Sequence, residues 1–165
     1  MPLLAAADYQ PAVQALFERI EADLRSLLPR ARIEHIGASS IPGALSKGDL
    51  DICVIVPAAE HAPVVELLCG RGYHVKPDTL RTPELCMLVA ARELAGDQDL
   101  ALQIVAQGSE FEDFLQFREA LRRDPALVAA YDAVKRQHWD QGEDAYRAAK
   151  ARFIESVLAQ GGDCL

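Results

Sequence analysis

No basic tract runs through this sequence: 17 Lys and Arg stand against 25 Asp and Glu, for a formal charge of −8. Affinity for a nucleic-acid polymer comes mostly from clustered cations that neutralise phosphates, so this balance argues against such a partner. It leaves room for a small ligand held by a few local cations. No stretch reaches the ~18–20 apolar residues of a membrane span, although 50% of the chain is hydrophobic. The opening Met1-Pro2-Leu3-Leu4-Ala5-Ala6-Ala7 is short, has no basic flank and runs into Asp8, so it does not read as a signal peptide. No membrane partner is expected, and the setting is read as cytoplasmic. C-x-x-C spacing is also missing. Cys53, Cys69, Cys86 and Cys164 are therefore expected as buried or incidental thiols, not disulfides or zinc ligands. No repeat, low-complexity tract or linker breaks the chain, and a single domain over residues 1–165 is expected, long enough for a real core.

What is present alternates between helical and strand patterns. Val13, Leu16, Phe17, Ile20, Leu24 and Leu27 recur at helical steps, predicting a helix from Tyr9 to Leu28 closed by Pro29. Strands are predicted over Arg32–Ile36, Asp49–Val56, Tyr73–Lys76, Leu85–Ala91 and Asp99–Ala106. A helix from about Glu60 to Cys69 is stopped by Gly70. Residues Glu93 to Gln98 form a hairpin loop between the last two strands. The C-terminal part reads as three helices. One is capped by Ser109 with Glu112 in the capping-box position, the next opens at Asp124-Pro125, and the last runs from about Glu143 to Gln160, stopped by Gly161-Gly162.

The run from His35 to Val56 carries the chemistry. It reads as strand, small-residue loop, then a strand that begins with two aspartates. Alternation puts Asp49, Asp51 and Cys53 on one face and Leu50, Ile52 and Val54 on the other. Two carboxylates one pleat apart repel and cannot be buried without compensation, so their face should meet water, a cation or a basic partner. Mg²⁺ suits the pair, because it takes carboxylate oxygens and arrives with substrate phosphates. Upstream, Gly37-Ala38-Ser39-Ser40 offers backbone N–H groups and hydroxyls to an anion. Ordinary turn chemistry also accommodates Gly48-Asp49.

Each of the three last helices sets one cation in its apolar stripe: Arg118 among Phe111, Phe114, Leu115 and Leu121; Lys135 with Val128, Tyr131 and Trp139; Lys150 with Tyr146, Phe153 and Val157. A cation facing the sheet needs a partner. Asp49, Asp51 or a bound phosphate would serve, and so would a local acid such as Glu119 or Asp132.

These residues resemble a known family. Gly37 and Ser39, followed by Asp49-Leu50-Asp51, look like the signature of the DNA-polymerase-β-type nucleotidyltransferases. The fuller run His35-Ile36-Gly37, Ser39-Ser40-Ile41-Pro42-Gly43, Lys47 and Asp51-Ile52 is similar to the GrpB family within them. The likeness continues in Phe117-Arg118, Leu121-Arg122, Pro125, Tyr131 and Lys135, in Tyr146, Lys150, Phe153 and Ile154, and in Tyr9 and Pro11. It implies an α/β fold of the nucleotidyltransferase type, a mixed sheet of about five strands flanked by helices. It also implies Mg²⁺-dependent binding of a nucleoside triphosphate, with nucleotidyl transfer to a small molecule or protein. In that scheme Asp49 and Asp51 hold the metal, and Asp99 is a third ligand or base. Gly37, Ser39, Ser40, Lys47, Arg118, Lys135 and Lys150 serve the phosphates. Departures matter too: Ala38 replaces a usual serine, and Ala101 and Gln103 occupy the strand that supplies a third carboxylate in active polymerase-β-type enzymes. The alternative implied is a catalytically inactive nucleotide- or coenzyme-binding regulatory module, since a domain of this kind is also fused to dephospho-coenzyme-A kinases.

Overall fold

The computed structural model describes residues 2–162. Its five strands are β1 (Arg32–Ile36), β2 (Leu50–Val56), β3 (Tyr73–Val75), β4 (Leu85–Ala90) and β5 (Leu100–Ala106). They form one mixed sheet in the order β1-β2-β5-β4-β3, with β2 parallel to β5 and the other neighbours antiparallel. The parallel pair is central and buried along nearly its whole length, as its continuous apolar runs require. The helices are α1 (Ala6–Leu27), α2 (His61–Cys69), α3 (Arg92–Ala95), α4 (Asp113–Arg123), α5 (Pro125–His138) and α6 (Glu143–Gly162).

Strand alternation sorts the two faces. Leu50, Ile52 and Val54 join Leu102, Ile104 and the apolar stripes of α1 and α2 in one core. Cys53 and Ile55 point the other way, to Val105 and to Leu115 of α4. A third cluster binds α4, α5 and α6 through Leu121, Tyr131 and Val157, and it includes Ile41 and Ala44 from the loop between β1 and β2. The C-terminal helices therefore clamp the loop that precedes Asp49.

Several boundaries differ from expectation. Strand β2 begins at Leu50, leaving Asp49 in the loop. The β4–β5 connection folds one helical turn, α3, before Gly96 turns it back at φ 66°. Helix α6 continues through Gly161 and Gly162, because a glycine stops a helix only where the chain leaves helical geometry. Helix α2 ends at Cys69, as expected; Gly70 follows in right-handed geometry, and Gly72, at φ 94°, makes the reversal. Ser109 does not cap its helix. A 3₁₀ turn over Glu110–Glu112 intervenes, the Ser109 hydroxyl is buried without a partner among the described residues, and Glu112 accepts instead from the Gly108 N–H at 2.9 Å. Asp124 does cap α5, accepting from the Ala126 N–H at 2.9 Å with Pro125 at the first helical position. Cys53 and Cys86 are buried free thiols and Cys69 an exposed one, whereas Cys164 lies outside the described residues. Among the described residues, no helix is long and apolar enough to cross a membrane.

Candidate functional site

β1 leads directly into Gly37, which has φ 75° and ψ −179°, a conformation that L side chains rarely adopt. Ala38–Ser40 then form a single 3₁₀ turn. The glycine is needed twice, because a Cβ at this position would stand 2.6 Å from Oδ2 of Asp51. The loop backbone thus lies against the carboxylate.

Asp51 is in β2, in register with Ile36 of β1 and Ala101 of β5. Among the described residues its carboxylate has no hydrogen-bond or ion-pair partner. Burial, with the charge of Asp49 second, pushes its pKa up to about 7, against the pull of Lys150, Lys76 and Lys47. Asp49, at the loop's end, accepts from the Ser46 hydroxyl at 3.1 Å. Facing the acids are two lysines arranged around one ring. Lys47 Nζ lies 5.2 Å from the Tyr146 centroid and 5.7 Å from that of Trp139, and Lys150 Nζ lies 4.9 Å from Tyr146. Burial lowers the Lys150 pKa, and Asp49 and Asp51 oppose that shift.

Other residues that the sequence points to are used elsewhere. Arg118 is only 7% exposed and its guanidinium is spoken for: Nη1 contacts Glu34 at 2.7 Å and the His35 carbonyl at 2.9 Å, and Nε contacts Glu119 at 3.0 Å. It staples α4 to β1 and does not line the cleft of Asp51. Lys135 borders that cleft but is 1% exposed, paired with Asp132 at 2.9 Å and donating to the Leu45 carbonyl. Asp132 in turn accepts from the Leu45 N–H at 3.0 Å. Ser39 is hydrogen-bonded to His35 Nε2 at 2.9 Å, and Ser40 donates to the Gly37 carbonyl at 2.7 Å. Both serines face a separate groove beside Gln10 and Arg122. Asp99 is exposed, with its carbonyl accepting from the Leu50 N–H at 2.8 Å. Among the described residues, no three His, Cys, Asp or Glu side chains stand close enough to hold a metal ion, so the expected Asp49–Asp51–Asp99 triad does not assemble.

Two cavities meet at the acids. The first, about 470 Å³, is lined by the polar or small residues Gly37, Ala38, Lys47, Asp49, Asp51 and Lys150 and by the apolar Phe111, Phe114, Phe117, Ile154 and Leu158. The second, about 680 Å³, shares Lys47, Asp49, Asp51, Tyr146 and Lys150 and adds Lys76, Arg92, Asp99, Ala101 and Arg147. Sequence patterning missed Lys76, whose one signal is a lysine between a short strand and Pro77. It also missed Glu34, whose place opposite Arg118 depends on the β1–α4 packing. A pair of carboxylates, one of them without a hydrogen-bond or ion-pair partner among the described residues, is a donor set that Mg²⁺ accepts together with phosphate oxygens and water. Asp49 and Asp51 fit that ion.

The model of the GrpB protein family matches residues 4–160. The chain belongs to the GrpB family. A UPF0157 protein of Vibrio cholerae is 48% identical over 160 residues, covering 97% of this chain and 83% of its own. Another, from Halalkalibacterium halodurans, is 31% identical, covering 92% and 78%. The crystal structure of GrpB from Enterococcus faecalis superposes with a TM-score of 0.74 at 24% identity, over 96% of this chain and 98% of that one. Cid1 poly(U) polymerase bound to MgGTP superposes at 0.57 and 16%, over 86% of this chain and 45% of the polymerase. The GrpB fold is therefore nucleotidyltransferase-like, as expected.

Proposed function

We propose that this GrpB protein binds a nucleoside triphosphate with Mg²⁺ in the cleft of Asp51 and transfers its nucleotidyl group to a small molecule or protein. The observation that carries this reading is the Asp51 carboxylate, without a partner among the described residues, beside Asp49 and facing Lys47 and Lys150 across one cavity. Its volume of about 470 Å³ suits a small ligand. The polar lining takes the phosphates, and Phe111, Phe114 and Phe117 take the nucleoside. Asp49 and Asp51 would hold Mg²⁺, which supplies positive charge to the phosphate oxygens. Lys47 and Lys150 offset the charge that develops on departing pyrophosphate, and Tyr146 between them fixes their separation. Gly37 lets backbone approach both carboxylate and phosphate closely. Binding of MgATP and MgGTP by the Cid1 poly(U) polymerase supports the analogy. The −8 charge favours a small acceptor over a nucleic-acid polymer, and a cytoplasmic setting suits an NTP user.

A second reading is favoured by one observation. β5 presents Ala101 beside Asp51 and Gln103 beside Cys53, so no carboxylate comes from this strand at those positions. A binding module without turnover, sensing a nucleotide or a coenzyme such as coenzyme A, is consistent with that. Calorimetric titration of each NTP with Mg²⁺ and then with EDTA tests binding. Equal heats for wild type and Asp51→Asn would remove the metal role. Labelled NTPs incubated with cell extract separate the readings, because only an enzyme passes label to an acceptor.

A further inference from the structure

The second cavity shares Lys47, Asp49, Asp51, Tyr146 and Lys150 with the first and none of its phenylalanines. Of its cations, Arg92 is paired with Asp97, and Arg147 is paired with Glu143 at 2.5 Å. Lys47 and Lys150 belong to both cavities. Lys76 belongs to this one, and among the described residues its side chain has neither an ion pair nor a hydrogen bond. It is half-buried and close enough to Asp51 to lower that group's pKa. Among the described residues no acid stands within ion-pair distance of this half-buried ammonium, which leaves it free to take an anion that enters the cavity.

Next to Asp51 the wall of this cavity is Ala101, too small to fill the space and unable to take a proton. The nearest further acid on β5, Asp99, is exposed and joins no three-acid cluster with Asp49 and Asp51. A hydroxyl acceptor must lose its proton as it attacks, which asks for a positioned base. A carboxylate or phosphate oxygen is already ionised at pH 7 and needs none.

Resting on the nucleotide reading above, we infer that the second substrate of this GrpB protein is a small oxyanion, a carboxylate or phosphate held in the second cavity by Lys76. One of its oxygens bonds to the α-phosphorus. The bond from that phosphorus to the α–β bridging oxygen breaks, and pyrophosphate leaves with the electron pair. No proton has to be placed. Inorganic phosphate would yield a nucleoside diphosphate, and acetate an acyl nucleotide that hydroxylamine traps as a hydroxamate.

The test uses the full chain, Mg²⁺ and each of ATP, GTP, CTP and UTP, with phosphate, acetate or glycerol as acceptor. Pyrophosphate release should rise at least tenfold with phosphate or acetate and stay at background with glycerol. Lys76→Ala should lose that stimulation tenfold or more with nucleotide Kd unchanged. Transfer to glycerol, stimulation that survives Lys76→Ala, or bound nucleotide with no oxyanion-dependent release would overturn the inference. A readout without nucleotide separates this failure from that of the parent reading. Inorganic phosphate alone should shift the amide resonances of Met87 and Val89 in wild type but not in Lys76→Ala. No nucleotide binding would refute the parent reading and with it the transfer step, and identical phosphate responses in both proteins would refute the Lys76 subsite.

Discussion

Gly37 and Asp51 are in such close apposition that one added carbon would not fit: a Cβ on the glycine would lie 2.6 Å from the carboxylate oxygen. The φ of 75° adds a backbone cost for any other residue. Gly37→Ala should therefore destabilise the protein by about 2–4 kcal/mol, combining left-handed strain with overpacking. Chemical denaturation measures that loss. Displacement of Asp51 should also weaken Mg²⁺-NTP binding at least tenfold under conditions where the variant is folded. Wild-type affinity in a folded Gly37→Ala protein would show that the carboxylate does not touch the ligand.

The raised pKa of Asp51 has a definite sign. Its folded value, about 7, lies above its ordinary value of 3.8, so the folded state binds the proton more tightly. The stabilising contribution is complete below pH 3.8 and is lost as pH rises through 7. At pH 8 the ionised carboxylate destabilises the ligand-free protein, and Asp51→Asn should be more stable than wild type there by about 4 kcal/mol. Near pH 4 the two should converge. Thermal unfolding of both proteins from pH 4 to 8, without divalent ions, checks the divergence.

His35 shows the opposite dependence. Burial, with the charges of Arg122 and Arg118 behind it, presses its pKa down from 6.5 to about 4. It stacks on Phe17 at 4.9 Å and holds Ser39, both as a neutral ring. A base with a depressed folded pKa stabilises fully above its unfolded value, and that contribution is lost as pH falls from 6.5 towards 4. The expected loss is up to about 3 kcal/mol. His35→Asn should flatten the slope of unfolding free energy over this window, whatever its own stability.

The strands were legible because their signals are local, whereas their assembly into one mixed sheet came from the family resemblance. Alternation in β2, continuous apolar runs in β2 and β5, and Asp124-Pro125 at the α5 start all act within a few residues. The stripes also showed that Arg118, Lys135 and Lys150 face inward. Their partners were not legible, because pairing is decided across elements: Arg118 meets Glu34 on β1, and Lys135 is neutralised by Asp132 of its own helix. Only Lys150 keeps its charge turned to the acids. Ser39 and Ser40 read as phosphate donors, yet in the 3₁₀ turn their hydroxyls are engaged by His35 and by the Gly37 carbonyl, and both residues line a separate groove.

Ser109 shows what such a miss costs. Its hydroxyl is buried without a partner among the described residues, and an unmade hydrogen bond leaves its desolvation uncompensated. Ser109→Ala should raise stability by about 1 kcal/mol, where a true N-cap serine would lose about as much on the same change. The sign of the shift in denaturation midpoint, at constant m-value, decides between them.

Lys135 and Asp132 hold both backbone groups of Leu45, the carbonyl through the ammonium and the N–H through the carboxylate. Leu45 lies two residues before Lys47, so this buried pair sets where the Lys47 loop rests on α5. Removing one partner of a buried pair strands the other, at a cost of about 3–5 kcal/mol. Lys135→Met should show that loss, while Lys135→Met with Asp132→Leu should recover part of it by removing both charges. Recovery of stability should not bring back the ligand response, because the double variant no longer tethers Leu45. The NTP-induced thermal shift should therefore stay diminished in the double variant. A full shift there would mean that Lys47 finds its position around Tyr146 and Trp139 without the tether.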